Sequence, residues 1–300
     1  MNISTLRYVL AVVDTGSFGR AAAVCGVSQP TLSVQVRKLE EALGVTLLER
    51  NTRMVAPTAA CDRIIGHMRA TVASAELVLA EARSQRDPLS GRFRLGIIPT
   101  LAPYILPHVF APLRAAFPTL AFEPWEEQTA TLIRLLRGHE LDAALLASDA
   151  DGHDLVSRSL FEEPFIAALP PGHRLAGQDQ VAEDDLASDI LVLAEGHCLR
   201  DQVLAACGER GGSSGALRAA SLPTLLNMVA AGYGTTVIPA LAAAPAREIG
   251  VVLRPLAART MRRVRIVWRA QFPREVAIEA IGAVIHGKAQ EVLHAGGLRA

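Results

Sequence analysis

The run EGHCLRDQVLAACG, residues 195–208, holds two of the chain's four cysteines, Cys198 and Cys207, with His197 beside the first and Arg200 two positions beyond it. Cys198 follows a strand-like run, DILVLAE, and opens a helical pattern. A helix N-terminus and nearby cations both favour thiolate over thiol, and thiolate is the form that attacks peroxides to give a sulfenic acid. Cys207 falls at the far end, in VLAAC, where a buried thiol is expected. In an intact helix the two residues stand about 13 Å apart along the axis and half a turn out of phase. A disulfide needs its Cα atoms within about 7 Å. Two readings follow from the spacing. Either the cysteines never pair and are two small apolar residues, or their pairing unwinds this segment and reports oxidation as a change of shape. The glycine-rich ERGGSSG, residues 209–215, would give such a rearrangement slack.

Other polar residues close strand-like runs. Thr100 follows FRLGIIP, Thr129 follows LAFEPWEEQ, and Arg269 lies at the end of VRIVWRA. In open α/β sheets ligands sit beyond the carboxyl ends of strands, so these residues suggest a small polar pocket with the thiol in its wall. The elements that must position them alternate between strand and helix from residue 91 onward, which predicts an α/β domain with largely parallel sheets. The chain leaves one half near residue 163 and returns near residue 269, giving two lobes with a cleft between them. RDPLSG, residues 86–91, is a Pro/Gly break and a natural boundary.

Ahead of that break the pattern is helical. Ser4 or Thr5 caps a helix carrying Leu6, Val9, Leu10 and Val13, and Asp14-Thr-Gly16 ends it. Ser17 caps FGRAAAVC, and Gly26 stops it. Ser28 caps a third helix with Pro30 in its first turn; Leu32, Val36, Leu39 and Leu43 form its buried stripe. Gln29, Thr31, Ser33, Arg37 and Lys38 are left on the free face, the helix-turn-helix arrangement that fits a major groove. VTLLERNTRMVAPT then reads as a two-stranded wing bearing Arg50 and Arg53. From Thr58, the stripe Cys61, Ile65, Met68, Val72, Ala75, Leu79, Ala82 keeps heptad spacing. It predicts a long helix that pairs with its copy, or one that lies along its own domain.

Net charge is zero, yet residues 1–69 carry eight basic against five acidic side chains. No apolar run reaches the ~18 residues a membrane span needs, and the N-terminus lacks a leader pattern. A soluble, cytoplasmic protein with reduced thiols is expected, without cofactor, metal or membrane.

GSFGRAAAVCGVSQPTLSVQVRKLEEALGVTLLER resembles the N-terminal signature of LysR-type transcriptional regulators. LAEGHCLRDQVLAAC, with SLPTLLNMVAAGYGTTVIPALA and GIIPTLAPYILPH, is similar to the hydrogen-peroxide-sensing branch of that family, over nearly the whole chain. The resemblance implies a winged helix-turn-helix at residues 1–58 and a dimerising linker helix with hinge at 59–90. A two-lobed, periplasmic-binding-protein-like α/β regulatory domain would occupy 91–300, with lobe I about 91–163 and 269–300 and lobe II about 164–268. It implies that Cys198 is the peroxide-reacting cysteine and Cys207 its resolving partner, their disulfide refolding the domain to activate antioxidant genes. Thr100, Thr129, His197, Arg200, Asp201 and Arg269 match the peroxide pocket and its polar surroundings. Gln29, Pro30, Thr31, Ser33, Arg37, Lys38, Arg50 and Arg53 would meet double-stranded promoter DNA. Implied partners are a second copy through the linker helix, a homotetramer, RNA polymerase, and a thiol reductant such as glutaredoxin. Trp268 stands where the family commonly has Tyr, and Cys61 where it has Gly; Cys25 and Cys61 lie outside the motif and are read as structural. The competing readings are a regulator whose cleft binds a small organic effector, its cysteines incidental, and a cysteine peroxidase, an enzyme for which the head and stalk have no use.

Overall fold

The computed structural model describes residues 2–50, 55–84, 87–150, 152–207 and 219–295. The chain divides into two compact units, residues 1–86 with 137–140, and residues 87–136 with 141–300.

In the first unit, α1 (Ile3–Thr15), α2 (Phe18–Val24) and α3 (Gln29–Leu43) each begin at a side-chain cap. Asn2 accepts from the Ser4 amide, Ser17 from Arg20 and Ser28 from Thr31, each satisfying an amide the helix start leaves unpaired. Asn2 thus takes the cap expected of Ser4 or Thr5. Leu6, Val9, Leu10 and Val12 of α1 meet Ala21 and Ala22 of α2 and Leu32, Val36 and Leu39 of α3 in one core. Leu43, expected inside, is exposed because the buried face of α3 ends at Leu39. The wing strands β1 (Leu48–Arg50) and β2 (Val55–Pro57) pair antiparallel. Glu40 Oε1 of α3 accepts from the Leu47 and Leu48 amides and fixes the wing to the helix.

The stalk, α4 (Ala59–Ser84), is capped by the Thr58 hydroxyl, which accepts from the Cys61 amide. Cys61, Met68 and Val72 are buried in the core of the head, and Ile65 packs against it. Arg7 pairs with Glu76, and Arg69 with Asp14, on the same face. The upper part of the heptad stripe is therefore spent inside the chain rather than on a copy, because α1 presents an apolar face that covers it.

The second unit runs β3 (Gly91–Ile97), α5 (Ala102–Ala116), β4 (Leu120–Glu126), α6 (Thr129–Arg137), β5 (Ala143–Leu146) and β6 (Leu155–Leu169). It continues with α7 (Glu183–Leu186), α8 (Cys198–Cys207), α9 (Leu222–Ala230), β7 (Thr236–Pro239), α10 (Ala243–Glu248), β8 (Val252–Pro255), β9 (Met261–Arg269) and α11 (Glu275–Ala295). The strands join in the order β4-β3-β5-β9-β6-β7, with β8 also on β6. Among the described strands β3 runs parallel to β4 and β5, and the other strand pairings of this unit are antiparallel. The expectation of largely parallel sheets is corrected to a mixed sheet. β6 and β9 pair from Leu155–Arg269 to Pro164–Met261, with a register shift between Ser159 and Phe161. β9 also pairs with β5 from Arg265 to Trp268, so the return to the first half precedes residue 269. DILVLAE makes only single bridges, Ile190 to Thr235 and Leu193 to Ala219, rather than a strand. Arg274 donates to the carbonyls of Pro88, Ser90 and Arg92, fastening the start of α11 to the entry of β3. Among the described residues no helix is long and apolar enough to cross a membrane.

Candidate redox site

Cys198 is the first residue of α8, and α8 is a single helix that ends on Cys207, so the two thiols stand at opposite ends. The loop before α8 meets the carboxyl end of β3 and the start of α6. There Ile98, Pro99, Thr100, Gln128, Thr129, Gly196, His197 and Cys198 line a tight pocket with almost no free volume. Two glycines permit this approach. A β carbon on Gly96 would lie 2.5 Å from a Leu132 methyl, so its absence lets α6 settle against β3. A β carbon on Gly196, where φ is +93°, would lie 2.5 Å from Gln128 Oε1. His197 is buried in the pocket wall, whereas Asp201 is exposed on the next turn of α8.

Arg262 supplies the charge. It and Glu163 are both fully buried, with Glu163 Oε2 2.9 Å from Arg262 Nε and 2.8 Å from Nη2. The guanidinium also donates to the Thr100 hydroxyl at 3.0 Å and the Thr100 carbonyl at 3.1 Å, while Glu163 Oε1 accepts from the Leu241 amide at 2.8 Å. Since the Thr100 oxygen accepts from Arg262, its own hydroxyl proton is left to point at another acceptor. The Thr129 hydroxyl is buried without a formed hydrogen bond, yet stands close enough to Cys198 to favour its thiolate.

Burial pushes the Cys198 thiol above its ordinary pKa. Arg262, then the Thr129 hydroxyl and the Leu199 amide, pull against that rise without reversing it, and Asp201 adds to it. The amide at the start of the helix acts in the expected direction, but Arg200 has no part in it and burial outweighs that pull. Arg200 Nη1 is engaged on the Leu193 carbonyl at 3.1 Å, and desolvation outweighs the rest. Cys207 is buried and pushed up to about 11 by desolvation, then by Glu183 and Asp184 of α7. Cys25 and Cys61 are also raised by burial, as expected of packed thiols.

Arg269 does not join the pocket. Its Nη1 donates to the carbonyls of Leu136 and Leu141, each at 2.6 Å, and its guanidinium lies over Phe272. The reason is strand direction: β9 is antiparallel to β5, so its last residue falls beside the start of β5, away from Thr100 at the carboxyl end of β3. The first residues of β9 reach the pocket instead, and they include Arg262. Sequence reasoning passed over Arg262, Glu163, Gln128 and Gly196. RRVRIVW carries three arginines at its start, and only the pairing direction says which end meets the thiol.

In the head, Gln29, Pro30, Thr31, Arg37 and Lys38 are exposed and Ser33 half-buried, all on α3. Arg50 ends β1, and Arg53 lies outside the described residues, as does the 209–215 tether.

A helix-turn-helix head with its reading face exposed, followed by an α/β unit with a buried polar pocket, is the build of a transcription regulator rather than an enzyme. Residues 3–62 match the bacterial regulatory helix-turn-helix family of lysR type, and residues 86–290 match the LysR substrate binding domain. The chain belongs to the LysR family of transcriptional regulators. It is 40% identical over 98% of its length to the DNA-binding transcriptional dual regulator OxyR of Escherichia coli, covering 99% of that protein. Among solved structures it matches full-length OxyR from Pseudomonas aeruginosa, in a cysteine-to-aspartate variant, with TM-score 0.79 and 34% identity over 95% of this chain and 94% of that one. It also matches a peroxide-bound cysteine-to-serine variant of Corynebacterium glutamicum OxyR, with TM-score 0.69 and 30% identity over 99% and 95%.

Proposed function

We propose that this chain senses hydrogen peroxide at Cys198 and reports it to promoter DNA through a disulfide with Cys207. The observation that carries the reading is the unpartnered Thr129 hydroxyl beside Cys198, in a pocket whose other hydroxyl, Thr100, is oriented by Arg262. Both can donate to a peroxide oxygen. The Cys198 thiolate attacks one oxygen, the O–O bond breaks, sulfur keeps an –OH as sulfenic acid, and the second oxygen leaves as hydroxide and is protonated to water. Peroxide gains two electrons and the sulfur loses two. Cys207 then attacks that sulfur, the S–O bond breaks, and a second water leaves.

The helix between the two thiols has to open for this bond to form, which turns oxidation into a change of shape. Downstream, Gln29, Pro30, Thr31, Ser33, Arg37 and Lys38 read promoter DNA, with Arg50 and Arg53 on the backbone. The chain acts as a dimer through the part of α4 beyond Val72 and as a homotetramer, recruits RNA polymerase when oxidised, and is reset by a glutaredoxin-type thiol. Relatives named as hydrogen peroxide-inducible genes activators support the peroxide signal. An organic effector is less well served: drug-sized ligands occupy about 300–1,000 Å³, and this pocket is closed down to almost no free volume.

The test is to treat reduced protein with stoichiometric peroxide, map disulfides by mass spectrometry and compare promoter footprints. A Cys198 to Cys207 bond and a changed footprint are expected, with Cys198→Ser keeping DNA binding and losing the change. Absence of that bond sinks the reading.

A further inference from the structure

If Cys198 and Cys207 bond, α8 must give way, so whatever holds α8 wound controls the second chemical step. Leu199, Val203 and Cys207 hold it by burial, and Arg200 ties it to the Leu193 carbonyl just upstream. Gln202 reaches much farther. Its Nε2 donates to the carbonyl of Ala147, past the end of β5, at 2.6 Å across 55 residues of sequence. Ala147 is buried, and Gln202 Oε1 is buried with no partner. The same amide therefore makes one close bond and leaves one acceptor unmet, a combination in which the bond holds while the orphaned oxygen offsets part of its worth.

We infer that Gln202 is a positioning residue that latches α8 to the end of β5 and so sets the rate of disulfide closure without affecting peroxide attack. The inference rests on the proposed pairing of Cys198 with Cys207. In closure the Cys207 sulfur attacks the Cys198 sulfenic sulfur, S–S forms as S–O breaks, and the hydroxyl leaves as water with the Cys207 proton. The sulfenic sulfur is reduced as the Cys207 sulfur is oxidised, so no further oxidant enters. Unwinding α8 for this step frees both ends of the Gln202 amide to meet water, relieving the unmet oxygen as the bond to Ala147 is lost.

Rapid-quench oxidation of the full-length protein separates the two steps, with dimedone trapping for sulfenic acid and alkylation with mass spectrometry for the disulfide. Gln202→Leu removes donor and orphan together at similar volume. Closure is expected to run roughly two- to fivefold faster, less than the factor a whole neutral hydrogen bond is worth because the orphaned oxygen goes with it, while sulfenic acid forms at the native rate. Gln202→Glu sets a carboxylate against the Ala147 carbonyl and should also close faster, its excess over the native chain shrinking at acid pH where the protonated carboxyl can donate again. Hydrogen exchange in a Cys198→Ser background reads the latch with no thiol chemistry, and α8 amides should exchange faster when Gln202→Leu is added. Native closure rates in both variants, or unchanged α8 protection, overturn the latch. A native chain that makes no Cys198 to Cys207 bond overturns the switch itself, a result distinct from either.

Discussion

Glu163 and Arg262 face each other as a cross-strand pair on β6 and β9, each with a fully buried side chain, and their charges meet 2.8 Å apart. Arg262 is also the cation that most strongly opposes the rise in the Cys198 pKa. The carboxylate on one strand thus holds in place the guanidinium that acts on the thiol from the other.

Glu163→Gln should leave Arg262 uncompensated. The Cys198 pKa then falls, and at neutral pH peroxide reacts faster by roughly three- to tenfold, equivalent to half to one pH unit. Breaking a buried pair costs about 3–5 kcal/mol, so the melting temperature falls even as the rate rises. Arg262→Met should move the rate in the opposite direction. Stopped-flow rate against pH for the three proteins checks this, and a common midpoint would refute it.

Gly196→Ala should slow peroxide attack and lower stability by about 1–2 kcal/mol, since the residue occupies a positive-φ conformation and its side chain would press on Gln128. The Cys198 rate and thermal unfolding check it. A Gly250→Ala control, also at positive φ but with open space around it, should cost stability alone.

The Cys207 thiol is pushed up to about 11 in the folded chain. Above the unfolded value the unfolded chain sheds this proton while the native chain keeps it, so stability is full below about pH 8.5 and declines toward pH 11 by up to about 1.4 kcal/mol per pH unit. Denaturant unfolding of the reduced protein from pH 7 to 10.5 should show the decline, and Cys207→Ala should make it shallower, leaving the part that Cys25, Cys61 and Cys198 contribute.

Arg37→Ala should weaken DNA binding in both redox states. If the contact is to phosphate, the slope of log affinity against log salt falls by about 1. Fluorescence anisotropy at several salt concentrations, with reduced and oxidised protein, measures both effects.

The head was legible because its signals are local: Ser17, Ser28 and Gly16 act on amides or turns within a few residues of themselves. The helix from Cys198 to Cys207 was legible for the same reason. What escaped was set by pairing between distant strands. Arg269 looked like a pocket residue on the assumption of parallel strands, and one antiparallel pairing moved it to the other end and put Arg262 in its place. The stalk stripe was read correctly as apolar, but its periodicity is the same whether α1 or a second chain covers it, and α1 covers Cys61, Met68 and Val72.

That burial gives the stalk a mechanical role. The head and α4 share one core, so they turn together, and the 26 residues of α4 span about 39 Å. A tilt of about ten degrees at its far end sweeps the head through roughly 7 Å, close to two base-pair steps along a duplex. Re-aiming the stalk alone would then carry Arg37 and Lys38 through that distance while α3 keeps its own conformation.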